Sequence, residues 1–139
     1  MTLAETASLT GVEHLNSADF ARTGLPFSEI VRVGSMLYLS GQMGTKPGTL
    51  ALVDGGMAAE ARQELQNVQR ALEAHGYSLQ HVVKCTVMLA DMADWPAFNE
   101  VYREFFSAPY PARSAFGARG LALGGSLEID VIATTGQAA

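Results

Sequence analysis

The 139-residue chain has the length of one domain, and its content of 48% hydrophobic and 17% charged residues excludes a disordered chain. Nine Lys and Arg against fourteen Asp and Glu give a formal net charge of −5, which disfavours unspecific nucleic-acid binding. No stretch approaches the ~20 apolar residues of a membrane span, no signal peptide is evident, and one cysteine excludes an intramolecular disulfide, so we expect a cytoplasmic protein.

The low charge also bears on assembly and domain organisation. With 14 glycines and so few charged side chains, there is little polar material to cover a monomer, which favours an oligomer. We expect residues 1–13 to form a flexible N-terminal lead and residues 14–139 to form a single domain.

In the first half of the chain, the pattern predicts two strands and a helix. Strands at 29–32 and 36–40 are joined by a hairpin turn at Gly34. The clearest helix spans 57–75, since apolar residues recur on one face, at Ala61, Leu65, Val68 and Leu72. Glu60, Glu64 and Gln69 are expected to face away from the core, and Gly76 to end the helix.

The second half predicts a strand, a helix and two more strands. The strand 81–91 alternates, with Val83, Cys85, Val87 and Leu89 on its inner face, so Cys85 is expected to be a core residue rather than a reactive thiol. Asp94 is expected to cap a helix with a buried aromatic stripe of Phe98, Tyr102, Phe105 and Phe106. Strands follow at 112–117 and 126–134, and this order predicts an α+β domain with both helices on one sheet face.

The residues that could carry chemistry form a small set without a cofactor. His14, His75 and His81 lack metal-ligand spacing, and neither a phosphate loop nor a dinucleotide fingerprint is present, so we expect no metal and no cofactor. Arg113 lies among prolines at the start of a strand, where its planar fork suits a carboxylate; an ordinary surface or ion-pair arginine is the alternative. Glu128 lies within an apolar strand and is either a perturbed carboxylate or a solvent-facing residue.

Several linked segments resemble the Rid (YjgF) family of enamine and imine deaminases, over roughly residues 25–134. The resemblance lies in the order and spacing of six segments: Leu39-Ser40-Gly41-Gln42, Ala61-Arg62-Gln63 with Asn67-Val68, Val83-Lys84-Cys85-Thr86-Val87, Phe98-Asn99 with Tyr102 and Phe105-Phe106, Tyr110-Pro111-Ala112-Arg113-Ser114, and Leu127-Glu128-Ile129.

The resemblance implies both a fold and an assembly. The fold is a chorismate-mutase-like α+β domain, with a six-stranded mixed sheet and two helices on one face. The assembly is a homotrimer with a barrel-like core and active sites between subunits. The family's carboxylate-binding arginine falls on Arg113, and its water-orienting glutamate falls on Glu128, fifteen positions later. Its cleft-lining pair falls on Ser40 and Gly41, and its helix asparagine falls on Asn99.

Two positions depart from the pattern of the archetypal members. Phe27 replaces a tyrosine of a Gly-Pro-Tyr motif, which keeps the ring without its hydroxyl, and Ala115 replaces a frequent cysteine. Phe27 and main-chain groups at Ala115 are still expected to line the substrate cleft, in a divergent branch of the family.

The activity that the resemblance implies is hydrolysis of 2-imino acids and their enamines, such as 2-aminoacrylate and 2-iminopropionate, to 2-keto acids and ammonia. The partners are then a small 2-imino or 2-keto acid and two further copies of the chain. The alternatives are a non-catalytic metabolite-binding or chaperone-like trimer and a ribonuclease or translation inhibitor, which the acidic composition disfavours.

Overall fold

A six-stranded mixed sheet forms the frame of the molecule. The structure, a computed structural model, describes residues 9–136. The strands and helices in chain order are β1 (Val12–Leu15), α1 (Ala18–Ala21), β2 (Ile30–Val33), β3 (Met36–Gln42), α2 (Met57–Glu73), β4 (Val82–Leu89), α3 (Trp95–Phe105), β5 (Ala112–Gly117) and β6 (Leu127–Thr134). The sheet order is β1-β2-β3-β6-β4-β5; the β4–β5 pair is parallel and the other pairs are antiparallel.

The first strand corrects the prediction that residues 1–13 form a flexible lead. Val12 and Glu13 belong to β1, where they pair with Val33 and Arg32 of β2. An ion pair between the side chains of Arg32 and Glu13 joins the two strands as well. Four residues are too few for a clear alternation, which is why the pattern did not reveal this strand. Residues 1–8 of the predicted lead, and 137–139 of the predicted domain, lie outside the described residues.

One face of the sheet packs against α2 and α3 and contains the core. The predicted inner residues of β6 are buried, and so is the aromatic stripe of α3 except for the half-buried Phe105. Cys85 is fully buried, which confirms it as a core residue. Burying a side chain of the size of Leu or Phe contributes about 1.5–3 kcal/mol, so this face supplies most of the stability. The fully buried large side chains include Ile30, Leu37, Leu65, Leu72, Leu89, Phe98, Leu127 and Ile129.

Two predicted orientations are wrong. Val83 was expected to face the core, but a register shift between Val82 and Lys84 turns Val82 inward and leaves Val83 41% exposed. Glu60 and Glu64 were expected to face solvent, but Glu60 is buried and Glu64 is fully buried. A bulge moves one residue to the other face of a strand, and alternation cannot anticipate it.

Turns and helix ends follow local chemistry, with one exception. Gly34 has a φ of +59°, which suits the first position of a two-residue hairpin loop, and Gly76 has a φ of +87° just beyond α2. Asp94 precedes α3, but its side chain makes no capping hydrogen bond. Asp91 acts one turn earlier instead, by accepting a hydrogen bond of 2.9 Å from the Ala93 amide.

The opposite face of the sheet has no helix over it in residues 9–136. Tyr38 on β3 is 45% exposed there, and the facing Ile132 of β6 is half-buried. Phe116 of the edge strand β5, which pairs with Met88, is 48% exposed. This face therefore presents apolar side chains together with polar and charged ones, which include Lys84, Thr86 and Asp130. No helix within the described part of the chain is long and apolar enough to cross a membrane.

Candidate active site

Glu128 lies on the uncovered face of the sheet, against Gly41. It pairs with Met88 of β4, and it is next to Ile129, where β6 resumes pairing with Gln42 after the register shift that begins at Leu39. A Cβ atom at Gly41 would collide with the Glu128 carboxylate, since Oε2 and Cδ occupy the space that it needs. The absence of a side chain at position 41 therefore permits the observed position of this carboxylate.

The Glu128 carboxylate opens into a cavity of about 680 Å³ that also contains Phe27, Ser40 and Gly41 in its lining. Phe27 is 47% exposed and packs against Phe20 with ring centroids 5.5 Å apart. Three of the predicted substrate-binding residues thus meet the predicted catalytic glutamate in one cavity. The aromatic pair gives that cavity an apolar wall, which limits the water around a small bound substrate.

Ser40 has a structural role at this cavity. Its hydroxyl donates a hydrogen bond of 2.6 Å to the Ser28 carbonyl, and its amide donates one of 3.0 Å to the Glu29 carbonyl. These bonds attach the end of β3 to the segment that contains Phe27. The hydroxyl therefore fixes the cavity wall, and its proton is engaged by a main-chain oxygen.

Burial raises the pKa of the Glu128 carboxyl, and repulsion from Asp130 on the same strand raises it further. Within residues 9–136, no side chain or amide donates a hydrogen bond to this carboxylate. A carboxyl group with a raised pKa and open access to a cavity is a suitable proton carrier near neutral pH.

Arg113 lies on β5 and turns toward α3. Its Nη2 donates a hydrogen bond of 2.6 Å to Oδ1 of Asn99. Its guanidinium carbon lies 4.7 Å from the centre of the Tyr102 ring and 5.7 Å from that of Phe98, within the range of a cation–π contact. The Asn99 amide and the two aromatic rings orient the planar guanidinium of Arg113. Arg113 and Asn99, which the sequence predicted for the site, are therefore in contact.

A second cavity of about 320 Å³ contains Arg113 and Asn99, with Trp95 and Tyr110 also in its lining. Ala115, two residues further along β5, packs against the core and is not among the residues that line either cavity. The second cavity thus has the charge and the donors for an anionic group, and it lacks Glu128.

The structure does not bring Arg113 and Glu128 together within one chain. Arg113 pairs with the buried Cys85 and shares its face of the sheet, whereas Glu128 pairs with Met88 and lies on the other face. Strand β4 separates the two strands that contain them. One chain therefore presents two half-sites, an arginine half and a glutamate half.

Two buried glutamates on α2 were missed by the sequence reasoning. Glu60 accepts hydrogen bonds from the amide and the hydroxyl of Ser126, at 2.9 and 3.0 Å, and thereby holds the start of β6 two residues before Glu128. Glu64 is fully buried. Its spacing to Ala61 and Val68 is that of a core-facing residue, which is the signal that could have revealed it. Within residues 9–136, no group of three metal-ligating side chains is arranged to hold an ion.

Several proteins of known name are similar in sequence to this chain. The profile of the family described as Endoribonuclease L-PSP matches residues 20–135. The chain is 43% identical over 111 residues to the 2-iminobutanoate/2-iminopropanoate deaminase of Capra hircus, with 80% of this chain and 81% of the relative covered. The human protein of the same name is 41% identical over 111 residues, with the same coverage.

Solved structures share the fold. RidA from an Antarctic Psychrobacter superposes with a TM-score of 0.80 at 37% identity, covering 88% of this chain and 99% of that one. TdcF of E. coli with bound serine gives a TM-score of 0.79 at 32% identity, covering 88% of this chain and 98% of that one. The profile match, the sequence identity and the fold agree, and the chain belongs to the endoribonuclease L-PSP family, which is the Rid (YjgF) family that its motifs resemble.

Proposed function

We propose that this protein is a hydrolytic deaminase that converts 2-imino acids and their enamine tautomers to 2-keto acids and ammonia. The observation that carries the proposal is the Glu128 carboxyl, which has a raised pKa and lies against Gly41 in a cavity of about 680 Å³. Relatives that are 41–43% identical bear the name of this activity, which supports the assignment.

Arg113 binds the substrate carboxylate in this proposal. Its fork is held by Asn99 and by the Tyr102 ring, which leaves donors on the guanidinium for two parallel hydrogen bonds to an anion. A carboxylate fixed in this way places the imine carbon in one orientation for attack by water. The imino group needs no cation from the protein, because its nitrogen takes up the proton that the attacking water loses.

Glu128 transfers the protons. The carboxylate removes a proton from water as the water oxygen bonds to C2 of the imine, and the imine nitrogen takes up this proton to give a carbinolamine. Glu128 then removes the hydroxyl proton and delivers it to the amino group, the C–N bond breaks, and ammonia leaves a 2-keto acid. Each step conserves the protons, and no cofactor is required.

The proposal includes a homotrimer whose active sites are shared between subunits. Arg113 and Glu128 lie on opposite faces of one sheet, so a complete site needs the arginine half of one chain and the glutamate half of another. The apolar side chains of Tyr38, Phe116 and Ile132 on the uncovered face support burial against neighbouring copies. Phe27, Ser40 and Gly41 then form the wall on the glutamate side, and Asn99 and the main chain at Ala115 form part of the arginine side.

A dehydratase-coupled assay tests the function. Threonine or serine dehydratase generates the imine, and keto-acid formation is followed with and without this protein. Faster release of the keto acid is expected, and a rate equal to spontaneous hydrolysis would contradict the proposal. A protein that binds a 2-keto acid in calorimetry without raising the rate would be the non-catalytic binding trimer. Cleavage of RNA without any deamination would favour the ribonuclease alternative.

A further inference from the structure

Three large apolar side chains lie half-exposed around the cavity that contains Glu128. Phe27, Leu50 and Leu123 line this cavity of about 680 Å³, and they are 47%, 46% and 50% exposed. A single exposed apolar residue is ordinary, but three that line one cavity offer a carbon surface that a ligand can cover. Cavities of about 300–1,000 Å³ hold drug-sized ligands, so this one has more room than 2-iminopropionate needs. These three residues are called the apolar trio below.

Leu123 has a backbone conformation that leucine rarely adopts. Its φ is 62° and its ψ is 10°, in the left-handed region, and within residues 9–136 it is the one residue other than glycine with a positive φ. The Cβ atom is crowded in this conformation, so glycine and asparagine are its usual occupants. A leucine at position 123 therefore costs stability, and backbone strain of this kind is typical of functional sites.

The turn that contains Leu123 is held firmly in place. The Gly125 amide donates a hydrogen bond of 3.1 Å to the Ala122 carbonyl and closes the turn. Just beyond it, the buried Glu60 accepts hydrogen bonds of 2.9 and 3.0 Å from the amide and the hydroxyl of Ser126. The strained leucine is therefore presented to the cavity by an anchored segment.

Leu50 lies in a second anchored loop, between β3 and α2. The Lys46 amide donates a hydrogen bond of 2.8 Å to the Ala51 carbonyl across this loop, and the side-chain amide of Asn67 on α2 donates one of 3.0 Å to the Met43 carbonyl. The third member of the trio lies on the segment that is hydrogen-bonded to the end of β3. Three separately fixed segments thus form the surface, which is in place before a ligand binds.

The charged side chains at this cavity give little advantage to a charged ligand. Arg70 and Asp19 pair with each other at 2.7 Å. Glu29 accepts hydrogen bonds from the amide and the hydroxyl of Ser17, and Glu73 accepts one from a neighbouring glutamine of α2. Apart from the candidate catalytic carboxyl, the charged groups that line the cavity have partners, so apolar contact is the remaining basis for selecting a substrate side chain.

We propose that the apolar trio binds the side chain of the substrate, with Leu50 and Leu123 as specificity-determining residues, and that the enzyme prefers 2-imino acids with large apolar side chains to 2-iminopropionate. The substrate class in this inference rests on the proposed function. Glu128 lies in the same cavity, so a substrate with its imine carbon beside this carboxyl can extend its side chain over the trio. Each methylene group in such a pocket is worth about 10- to 200-fold in discrimination.

Rates with imino acids of different size test this specificity. D-Amino-acid oxidase with catalase converts D-alanine and D-leucine to achiral 2-imino acids. Competition between the protein and semicarbazide, which traps the imine, then gives kcat/KM after spontaneous hydrolysis is subtracted. The parent should act on the leucine-derived imine about tenfold or more better than on the alanine-derived one. An equal or lower value for the leucine-derived imine would overturn the inference.

Variants of the two leucines identify the residues responsible. Leu123→Asn and Leu123→Gly should each lower the ratio of the two rates about tenfold, while the melting temperature stays equal or rises, because both residues tolerate a positive φ. Leu50→Asn should lower the same ratio. Leu9→Asn, at a leucine that is 67% exposed and does not line the cavity, is the matched control and should keep it. An equal fall with both imines, or an unchanged ratio in both Leu123 variants, would overturn the assignment.

Calorimetry with stable 2-keto acids separates this inference from the proposed function, because it needs no turnover. The parent should bind 4-methyl-2-oxopentanoate about tenfold or more tightly than pyruvate, and Leu123→Asn should remove most of this preference. A protein that deaminates both imines but binds both keto acids equally would overturn the side-chain pocket and leave the deaminase intact. If the parent accelerates neither imine, the proposed function fails, whereas a preference for the larger keto acid that depends on Leu123 would still support the pocket.

Discussion

At the scale of single residues, the orientation of Arg113 distinguishes it from a surface arginine. Asn99 holds one nitrogen at 2.6 Å, and the Tyr102 ring lies under the guanidinium plane at 4.7 Å. Arg113→Lys should lower kcat/KM about 10- to 150-fold, because a lysine keeps the charge but cannot form two parallel bonds to a carboxylate. The dehydratase-coupled rate measures this loss. Arg62→Lys, on the outer side of α2, is the control and should leave the rate unchanged, and equal rates in both variants would exclude Arg113 as the anchor.

Glu128→Gln separates proton transfer from binding. The amide keeps the size of the side chain and cannot accept a proton from water, so turnover should fall by about 10²–10⁴-fold. Affinity for a stable 2-keto acid, measured by calorimetry, should stay the same or rise, because a negative charge near the ligand disappears. An unchanged rate would show that Glu128 is a solvent-facing strand residue without a catalytic role.

Gly41→Ala tests the close approach that defines the glutamate half of the site. A methyl group there would displace the Glu128 carboxylate, which is the flexible end of a side chain, so the fold should survive while the carboxylate moves. A displacement of about 1 Å costs on the order of 10²-fold in rate. Turnover and the melting temperature should be compared with those of Gly120→Ala, where a Cβ meets nothing within 4 Å. A fully active alanine variant would contradict the assigned position of Glu128.

At the scale of elements, the sequence predicted the burial patterns that follow from hydrophobic periodicity and missed the features that depend on contacts with neighbouring elements. The alternation of β6 predicted its buried residues, and the helical spacing of α2 predicted its buried Ala61, Leu65, Val68 and Leu72. The inward turn of Val82 depends on a bulge between β4 and β6, which no local pattern contains. The burial of Glu64 went against the usual location of a charged residue, so spacing was overruled by residue type. Arg113 and Glu128 were identified from their residue type and strand context and received their roles from the family resemblance, but their separation by β4 is a property of the sheet order.

The stability of α2 on the sheet should rise when its buried acid is removed. Glu64→Met replaces a carboxyl that has no hydrogen-bond partner in residues 9–136 by an apolar side chain of similar size, and at pH 7 we expect a gain of about 1–3 kcal/mol in the free energy of unfolding. The folded state holds the Glu64 proton more tightly than the unfolded state, whose ordinary pKa is 4.5, so the parent loses stability as pH rises from there through the folded-state pKa.

The advantage of methionine should accordingly be smallest near pH 4.5 and grow toward pH 8. Urea unfolding of both proteins, at equal chain concentration and at several pH values, measures this difference. A methionine variant that is less stable than the parent at every pH would show that Glu64 has a stabilising partner.

At the scale of the whole molecule, the sheet divides the candidate site and exposes the surface that could complete it. The arginine half faces α3 at the β5 edge, and the glutamate half opens on the uncovered face near the end of β3. Neither half has both an anion anchor and a proton carrier. The simplest way to unite them, in a chain whose uncovered face exposes Tyr38 and Phe116, is contact between identical copies.

Mixing two inactive variants tests this arrangement directly. Arg113→Lys keeps the glutamate half and Glu128→Gln keeps the arginine half, so a site between one chain of each kind can be complete. When the two are unfolded together in equal amounts and refolded, random trimers should regain about a quarter of the parental rate, because a site needs the intact half from each side. Each variant refolded alone supplies the baseline, and light scattering should give three times 14.7 kDa for every sample. A mixture no faster than the average of its components, in trimers of that mass, would place both residues in a site within one chain and contradict the shared cleft.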